Sequence, residues 1–236
     1  MLIMLSFIIP TYNEEKNIGP LLDALNAQMA EGDEIVVVDS YSKDRTVDIA
    51  QGKGAKVVLQ PKMGIGLAKT EGAKNAKNDL LVMLDADCVP HSDFVARIKK
   101  HFTDRPGLIA ICGLDLYSSD SALWRTIYNA YSVIVYWLGK GFHFVSGKYW
   151  LAANNCAIKK DVFFSIGGYR SVVCEDNDLM ARLPASRDVV YDSRIVVTLS
   201  DRRFREGGFF RTVLMWIVAD IRAWLGAGKD AKGYRE

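Results

Sequence analysis

The sequence predicts an α/β fold, a mostly parallel sheet with helices on both faces. Two observations lead to it. Between residues 5 and 85, short continuous apolar runs alternate with stretches of helical period, and each run ends in a cluster of polar residues. Continuous apolar runs belong to strands covered on both sides. Strand–helix alternation at this spacing builds a doubly wound parallel sheet.

The first strand is "LSFIIP". The helical stretch "NEEKNIGPLLDALNAQ" follows, with Ile18, Leu21, Leu22 and Leu25 on one face. "DEIVVVDS" is the second strand. "SKDRTVDIAQGKG" opens a helix that Ser42 or Asp44 can cap and that Gly52 and Gly54 end. "AKVVLQ", "GLAKTEGAKNAK" and "DLLVML" supply a third strand, a third helix and a fourth strand running into Asp85. The polar clusters at the strand ends are Thr11-Tyr12-Asn13-Glu14, Asp39-Ser40, Lys62 with Gly64 and Gly66, and Asp85-Ala86-Asp87. Ligands of open α/β sheets bind beyond the carboxyl ends of the strands, so these four clusters mark a candidate site.

The second half is less regular. "SGKYWLAANNCAIKKDVFFSIGGYRS" suggests a strand, a short helix from about Asp161 and a Gly167-Gly168 turn. "CEDNDLMARLPA" reads as a helix whose acidic start suits the macrodipole. "DVVYDSRIVVTLS" adds one or two strands. Two segments are unusually aromatic: residues 123–150, with Trp124, Tyr128, Tyr131, Tyr136, Trp137 and others, and residues 207–229, with Phe210, Leu214, Ile217, Ile221 and Trp224 at helical spacing. They fit either packing between elements or an interfacial surface with Trp and Tyr at headgroup level.

The totals set bounds. The 236 residues fit one α/β domain with or without an appendage, and half are hydrophobic, enough for a large core. The 30 basic and 28 acidic residues nearly cancel, which gives no reason to expect nucleic acid. Cys88, Cys112, Cys156 and Cys174 are scattered without metal spacing, as in a cytoplasmic protein with reduced thiols. "MLIMLSFIIPTYNEE" lacks a basic start and a cleavage site, so a first strand explains it better than a signal peptide. No run of about 18 apolar residues suggests a spanning helix.

"LLVMLDADCVP" raises a chemical question. In a strand, residues two apart share a face, so Asp85 and Asp87 would be aimed together. Two carboxylates without a nearby thiol or imidazole suit a hard divalent cation such as Mg²⁺, held together with substrate phosphates.

In context, "FIIPTYNEEKNI", "DEIVVVDSYSKDRTVDIA", "GIGLAKTEGAKNAKNDLLVMLDADCVP", "NNCAIKKDVFFSIGGY" and "EDNDLMARL" resemble, in order and spacing, the family 2 glycosyltransferases of the GT-A fold. The resemblance spans most of residues 5–183. It implies a GT-A (Rossmann-like) sheet with an aromatic C-terminal helical extension, and an inverting, metal-dependent transfer from a nucleotide-diphospho-sugar. The base and ribose contacts fall on Pro10, Thr11, Tyr12, Glu14 and Asp39. Ser40 stands where the family usually has a second acid. Lys69 stands where arginine is common and would face phosphate. Asp87 becomes the principal ligand of Mg²⁺ or Mn²⁺, with Asp85 on the ribose or on metal-bound water. Asp176 becomes the base that deprotonates the acceptor, with Glu175 as its neighbour. The late histidine of many relatives is missing. "TLSDRRFREGG" takes its place, where Arg202, Arg203 and Arg205 could neutralise diphosphate or a lipid phosphate.

The expected organisation is a transferase domain over 1–205, with a nucleotide-sugar half to about 90 and an acceptor half beyond, then a helical segment over 206–236. The aromatic insert between metal and base motifs suits an apolar acceptor, a polyprenyl phosphate or lipid-linked saccharide. The tail would then make a peripheral contact on the cytoplasmic face of a membrane. A non-catalytic nucleotide-sugar-binding protein stays open as an alternative. So do a haloacid dehalogenase-type phosphatase, whose D-x-D belongs on the first strand, and a sugar nucleotidyltransferase, which would carry an early glycine-rich loop.

Overall fold

A computed structural model describes residues 3–61, 64–149, 155–172, 174–184 and 188–224. Lys62, Trp150 and residues 225–236, named above, lie outside the described residues.

Strands β1 (Leu5–Thr11), β2 (Glu34–Asp39), β3 (Lys56–Leu59) and β4 (Leu80–Leu84) alternate with helices α1 (Ile18–Asn26), α2 (Thr46–Gly52) and α3 (Ile65–Asn75). After β4 come β5 (Cys88–Pro90), α4 (Phe94–Asp104), β6 (Ala110–Ser118), α5 (Ala122–Ser146), β7 (Asn155–Lys159) and α6 (Lys160–Ser165). Then follow α7 (Glu175–Arg182), β8 (Val189–Ser200), α8 (Arg202–Gly207) and α9 (Phe209–Trp224).

The eight strands form one sheet in the order β3-β2-β1-β4-β7-β6-β8-β5. The β1–β2, β1–β4, β2–β3 and β6–β8 pairs are parallel, while β7 runs antiparallel to both β4 and β6, and β5 antiparallel to β8. The sheet must curl. Only three residues separate β4 from β5, and that connection reaches about 14 Å. Four strand spacings in a flat sheet would need about 19 Å. Curling brings β5 against α1 and back toward the end of β4.

Two apolar layers flank the sheet. Ile18, Leu21, Leu22 and Leu25 of α1 are fully buried with Phe94, Val95 and Ile98 of α4 on one side. Ala68 and Ala73 of α3, Phe163 of α6, and Leu179 and Met180 of α7 cover the other. Gly72 lets α3 approach: a Cβ there would stand 2.5 Å from Ile8 Cγ2 and 2.9 Å from Val38 Cγ2.

One detail differs from the sequence reading, and two are made definite by the structure. The fourth strand stops at Leu84, so Asp85 and Asp87 lie in a turn and strand alternation does not govern them. The last segment is one strand, broken only by a register shift opposite Cys112/Leu114. The first aromatic segment is largely one 25-residue helix, α5, which covers the edge of β6 left open where β7 stops. Asn129 Oδ1 accepts the Tyr117 N–H at 2.6 Å, and the Ser132 hydroxyl donates to the Asp115 carbonyl.

Candidate active site

The first two strand ends are laced into one wall. Thr11 Oγ1 donates to Asp39 Oδ2 at 2.9 Å, and the N–H and hydroxyl of Ser42 donate to the same carboxylate at 2.8 and 2.6 Å. The Asn13 N–H donates to Ser42 Oγ, the Lys43 N–H to Asn13 Oδ1, and the Glu14 N–H to Thr46 Oγ1. Asp39 is fully buried by this web, so it anchors the wall. Asp44, not Ser42, serves the start of α2, accepting the Thr46 N–H at 3.0 Å. Asn13 and Tyr41 hold positive φ, 54° and 59°, which costs non-glycine residues energy and turns the two loops outward. Tyr12 and Tyr41 are 43% and 52% exposed, two aromatic faces at the mouth. Pro10 sits within β1, opposite Val38.

Arg202 joins this wall to the turn after β4. Its guanidinium grips Glu14 with both ends, at 2.8 and 3.3 Å, and one nitrogen lies 3.5 Å from Asp87 Oδ2. Asn17 Nδ2 donates at 2.6 Å to Glu14 Oε2, the oxygen that also accepts the longer Arg202 bond. The Ser200 N–H donates to the Asp87 carbonyl at 3.0 Å, which fastens the turn to the end of β8. Burial, then the charges of Asp85 and Glu14, push the Asp87 carboxyl up to about 6, against the pull of Arg202 and Arg203. Arg203 also stacks over Trp216 at 5.9 Å.

Lys69 ties the donor side to the base candidate. Its side chain is fully buried, with Nζ 3.1 Å from Asp85 Oδ1 and 3.4 Å from Asp176 Oδ1. Burial disfavours the ammonium, but Asp176, Asp85 and Glu175 outweigh it and hold the lysine charged, above its usual range. The Tyr169 ring lies 5.5 Å from Nζ. Burial raises the Asp176 carboxyl above the usual aspartate range, against the opposing pull of Lys69. Burial and the Asp176 charge push Glu175 up to about 7. α7 begins at Glu175 after Cys174, which adopts φ 56°. Gly66 lies against it, and a Cβ there would meet the Arg170 carbonyl at 2.9 Å and Glu175 Cβ at 3.1 Å. Asp178, two residues on, faces away and binds Arg182 at 2.8 Å.

Beside the wall of Thr11, Tyr12 and Asp39, the predicted residues fall into two linked groups: Glu14, Asp87 and Arg202, with Arg203 near, and Asp85, Lys69, Glu175 and Asp176; Arg205 stands apart, paired with Asp201 at 2.8 Å. Sequence reasoning missed Tyr41, Tyr169 and the Arg202–Glu14 clasp. Tyr41 could have been found, since it follows a strand end as Tyr12 does. The clasp joins residues 188 positions apart, and no local pattern marks it.

The donor set fits a hard divalent cation. Asp87 would offer a carboxylate oxygen, buried beside the acids Asp85 and Glu14, and burial followed by those charges raises its pKa. Among the described residues no group of three His, Cys, Asp or Glu side chains is arranged to hold a metal ion by itself, so the remaining ligands would come from water and substrate. The histidines are elsewhere: His91 contacts Thr198, His101 contacts Asp192, and His143 contacts the Lys148 carbonyl. Beyond Arg202 a cavity of about 500 Å³ opens between the ends of β6 and β8, lined by Tyr117, Arg125, Asn129, Ser200, Asp201 and Arg205 among others.

Residues 6–175 match the model of glycosyl transferase family 2. The chain is 26% identical over 251 residues to the O-antigen chain rhamnosyltransferase of Salmonella typhimurium, covering 98% of this chain and 78% of the relative. It is 42% identical over 88 residues to the dolichol-phosphate mannosyltransferase of Pyrococcus furiosus, covering 35% of this chain and 25% of that protein. Other curated relatives are likewise longer, with the chain spanning about a third of their length or less. Its fold is shared with glucosyl-3-phosphoglycerate synthase from Mycobacterium tuberculosis, solved with Mn²⁺, uridine-diphosphate-glucose and phosphoglyceric acid. The TM-score is 0.65 at 20% identity, over 95% of this chain and 79% of the other.

Proposed function

The chain belongs to glycosyl transferase family 2, and from that premise we propose that it transfers a sugar from a nucleotide-diphospho-sugar to an acceptor with inversion at the anomeric carbon. The observation that carries this reading is the buried Lys69 ammonium, which joins Asp85 on the donor side to Asp176 on the acceptor side.

In this reading the base and ribose lie against the wall of Thr11, Tyr12, Asp39 and Tyr41. Tyr12 and Tyr41 offer aromatic faces, and the Asp39 web holds them in place. Arg202 and Arg203 bring cations to the diphosphate. A divalent cation held by Asp87, with Asp85 beside it, would neutralise charge on the departing nucleoside diphosphate. Asp176 takes the acceptor's hydroxyl proton as that oxygen attacks the anomeric carbon and the bond to the diphosphate breaks. A raised carboxyl pKa makes Asp176 a stronger base than a surface aspartate, while Lys69 opposes the rise. Glu175 borders the acceptor side.

The proposed acceptor is lipid-linked, a polyprenyl phosphate or a lipid-linked saccharide. The aromatic helix α5 beside the cavity supports it, as does Arg125, a cation that a phosphate headgroup would meet there, while Arg205 is paired with Asp201 at 2.8 Å. Such an acceptor requires work at a membrane surface, on the cytoplasmic face for a protein with four free cysteines.

A thermal-shift screen of nucleotide-sugars with Mn²⁺ or Mg²⁺, followed by a donor-consumption assay, tests the transferase reading. One donor should stabilise strongly and be turned over. Binding without turnover on any acceptor would leave a non-catalytic binding protein. Asp176→Asn should lower the rate about 10²–10⁴-fold with a hydroxyl acceptor. Retention of most activity would instead identify an acceptor already ionised, such as a phosphate.

A further inference from the structure

We propose that the solvent side of α5, together with the apolar stripe of α9, docks the protein on the headgroup region of an anionic lipid bilayer. The role given to this face rests on the transferase reading with a lipid-linked acceptor; its geometry does not.

Leu123, Ile134, Trp137, Leu138, Phe144 and Val145 of α5 are each more than half exposed. Successive residues of a helix turn by about 100°. These six, with Ile127, Ala130 and Gly141, therefore fall on one side of α5, and that side holds no charged residue from one end to the other. The stripe is about 33 Å long at the α-helical rise. On α9, Phe210, Leu214, Ile217 and Ile221 repeat the pattern and are exposed as well. Phe209 joins the two helices, with its ring 5.3 Å from Tyr128 and 5.6 Å from Tyr131. Exposed apolar area of this extent marks a contact surface.

Charge selects the occupant. Residues 121–149 contain Arg125, Lys140 and Lys148 and no acid, and residues 202–211 contain four arginines and one glutamate, with Arg202 and Arg205 paired to Glu14, Asp87 and Asp201. The chain as a whole holds 30 basic and 28 acidic residues, so this end is positive and the remainder negative. Lys140 flanks the stripe on α5 and Arg211 flanks the one on α9, while Arg125 faces the cavity; cations beside a stripe of Trp, Phe, Leu and Ile are the pattern of a helix lying in an anionic interface. Spanning is not the alternative. No helix among the described residues is long and apolar enough to cross a membrane. The inner side of α5 is also committed to the domain through Tyr128, Tyr136 and the Asn129–Tyr117 bond. Docking would therefore keep the sheet intact. It would also set α8, which carries Arg202 and leads directly into α9, next to the bilayer that holds the acceptor.

Flotation with phosphatidylcholine vesicles, with and without phosphatidylglycerol, tests the assignment. The full chain should float with the anionic vesicles, less so in high salt. Ile134→Glu with Leu138→Glu should cut binding about tenfold or more. Lys140→Glu with Arg211→Glu should remove the preference for phosphatidylglycerol. Donor-induced thermal shifts of the Ile134→Glu/Leu138→Glu variant should match the parent, which excludes misfolding as the cause. Absence of vesicle binding by the parent chain would overturn the proposal. A dimer that the same two glutamates convert to monomer would also overturn it, by showing that a second copy covers the stripe. A parent chain that floats but binds no nucleotide-sugar would sink the transferase reading and leave the docking face standing.

Discussion

Lys69 is the residue on which most of the site's electrostatics converge. It is fully buried, yet three acidic groups around it outweigh the cost of burying its charge. Removing one partner of such a cluster exposes the others to uncompensated burial. Lys69→Met should therefore destabilise the protein by about 3 kcal/mol in denaturant titrations at neutral pH. The loss should shrink in acid, where Asp85 and Asp176 can protonate. Glu175 gives the complementary case. Its carboxyl is pushed up to about 7, first by burial and then by Asp176. A raised folded pKa favours the protonated form, so the contribution is full below the usual glutamate range and is lost as pH rises toward 7. Glu175→Gln should then be more stable than the parent at pH 8, by up to about 3 kcal/mol, and equally stable near pH 4. A pH series of melting curves checks both. Both residues stood out in the sequence by their motifs. Their partnership did not, because Lys69 and Asp176 are 107 positions apart.

At the scale of elements, β1, β2 and α3 depend on close approach. Gly72 faces Ile8 and Val38 across a gap that a methyl group cannot enter. Gly72→Ala should cost about 1–3 kcal/mol in unfolding free energy through forced displacement of α3. Because α3 also carries Lys69, donor affinity should fall with it. The alternation of β1 through β4 was legible, since a buried parallel strand writes itself as an unbroken apolar run. The end of β4 was less so. "LLVMLDADCVP" reads as a strand into its aspartates, while the chain turns at Asp85 to reach β5 across the curled sheet. The helix α5 was legible only as aromatic density, because its two sides, one packed and one exposed, are both apolar and blur the helical period.

At the scale of the molecule, donor and metal should act together. A donor at a hundredfold excess over its Kd should raise the melting temperature by about 5–10 °C in the presence of Mn²⁺. EDTA should abolish most of that shift; a shift insensitive to EDTA would remove Asp87 from the metal role. Arg202→Ala should weaken donor binding and also lower the unliganded melting temperature by a few degrees, since it leaves the largely buried Glu14 carboxylate without its cation. The sequence by itself determined the parallel half of the sheet, the polar clusters at its strand ends and the ordered motifs of the family. Those features rest on local periodicity and on residues adjacent in the chain. Only the tertiary structure decided that β7 runs antiparallel between β4 and β6, that Arg202 closes over Glu14 and Asp87, and that Lys69 lies between Asp85 and Asp176. It also decided which side of α5 is exposed. Each of these is a contact between distant segments, fixed by the curl of the sheet and the burial of charge, and neither quantity is written in any stretch of neighbouring residues.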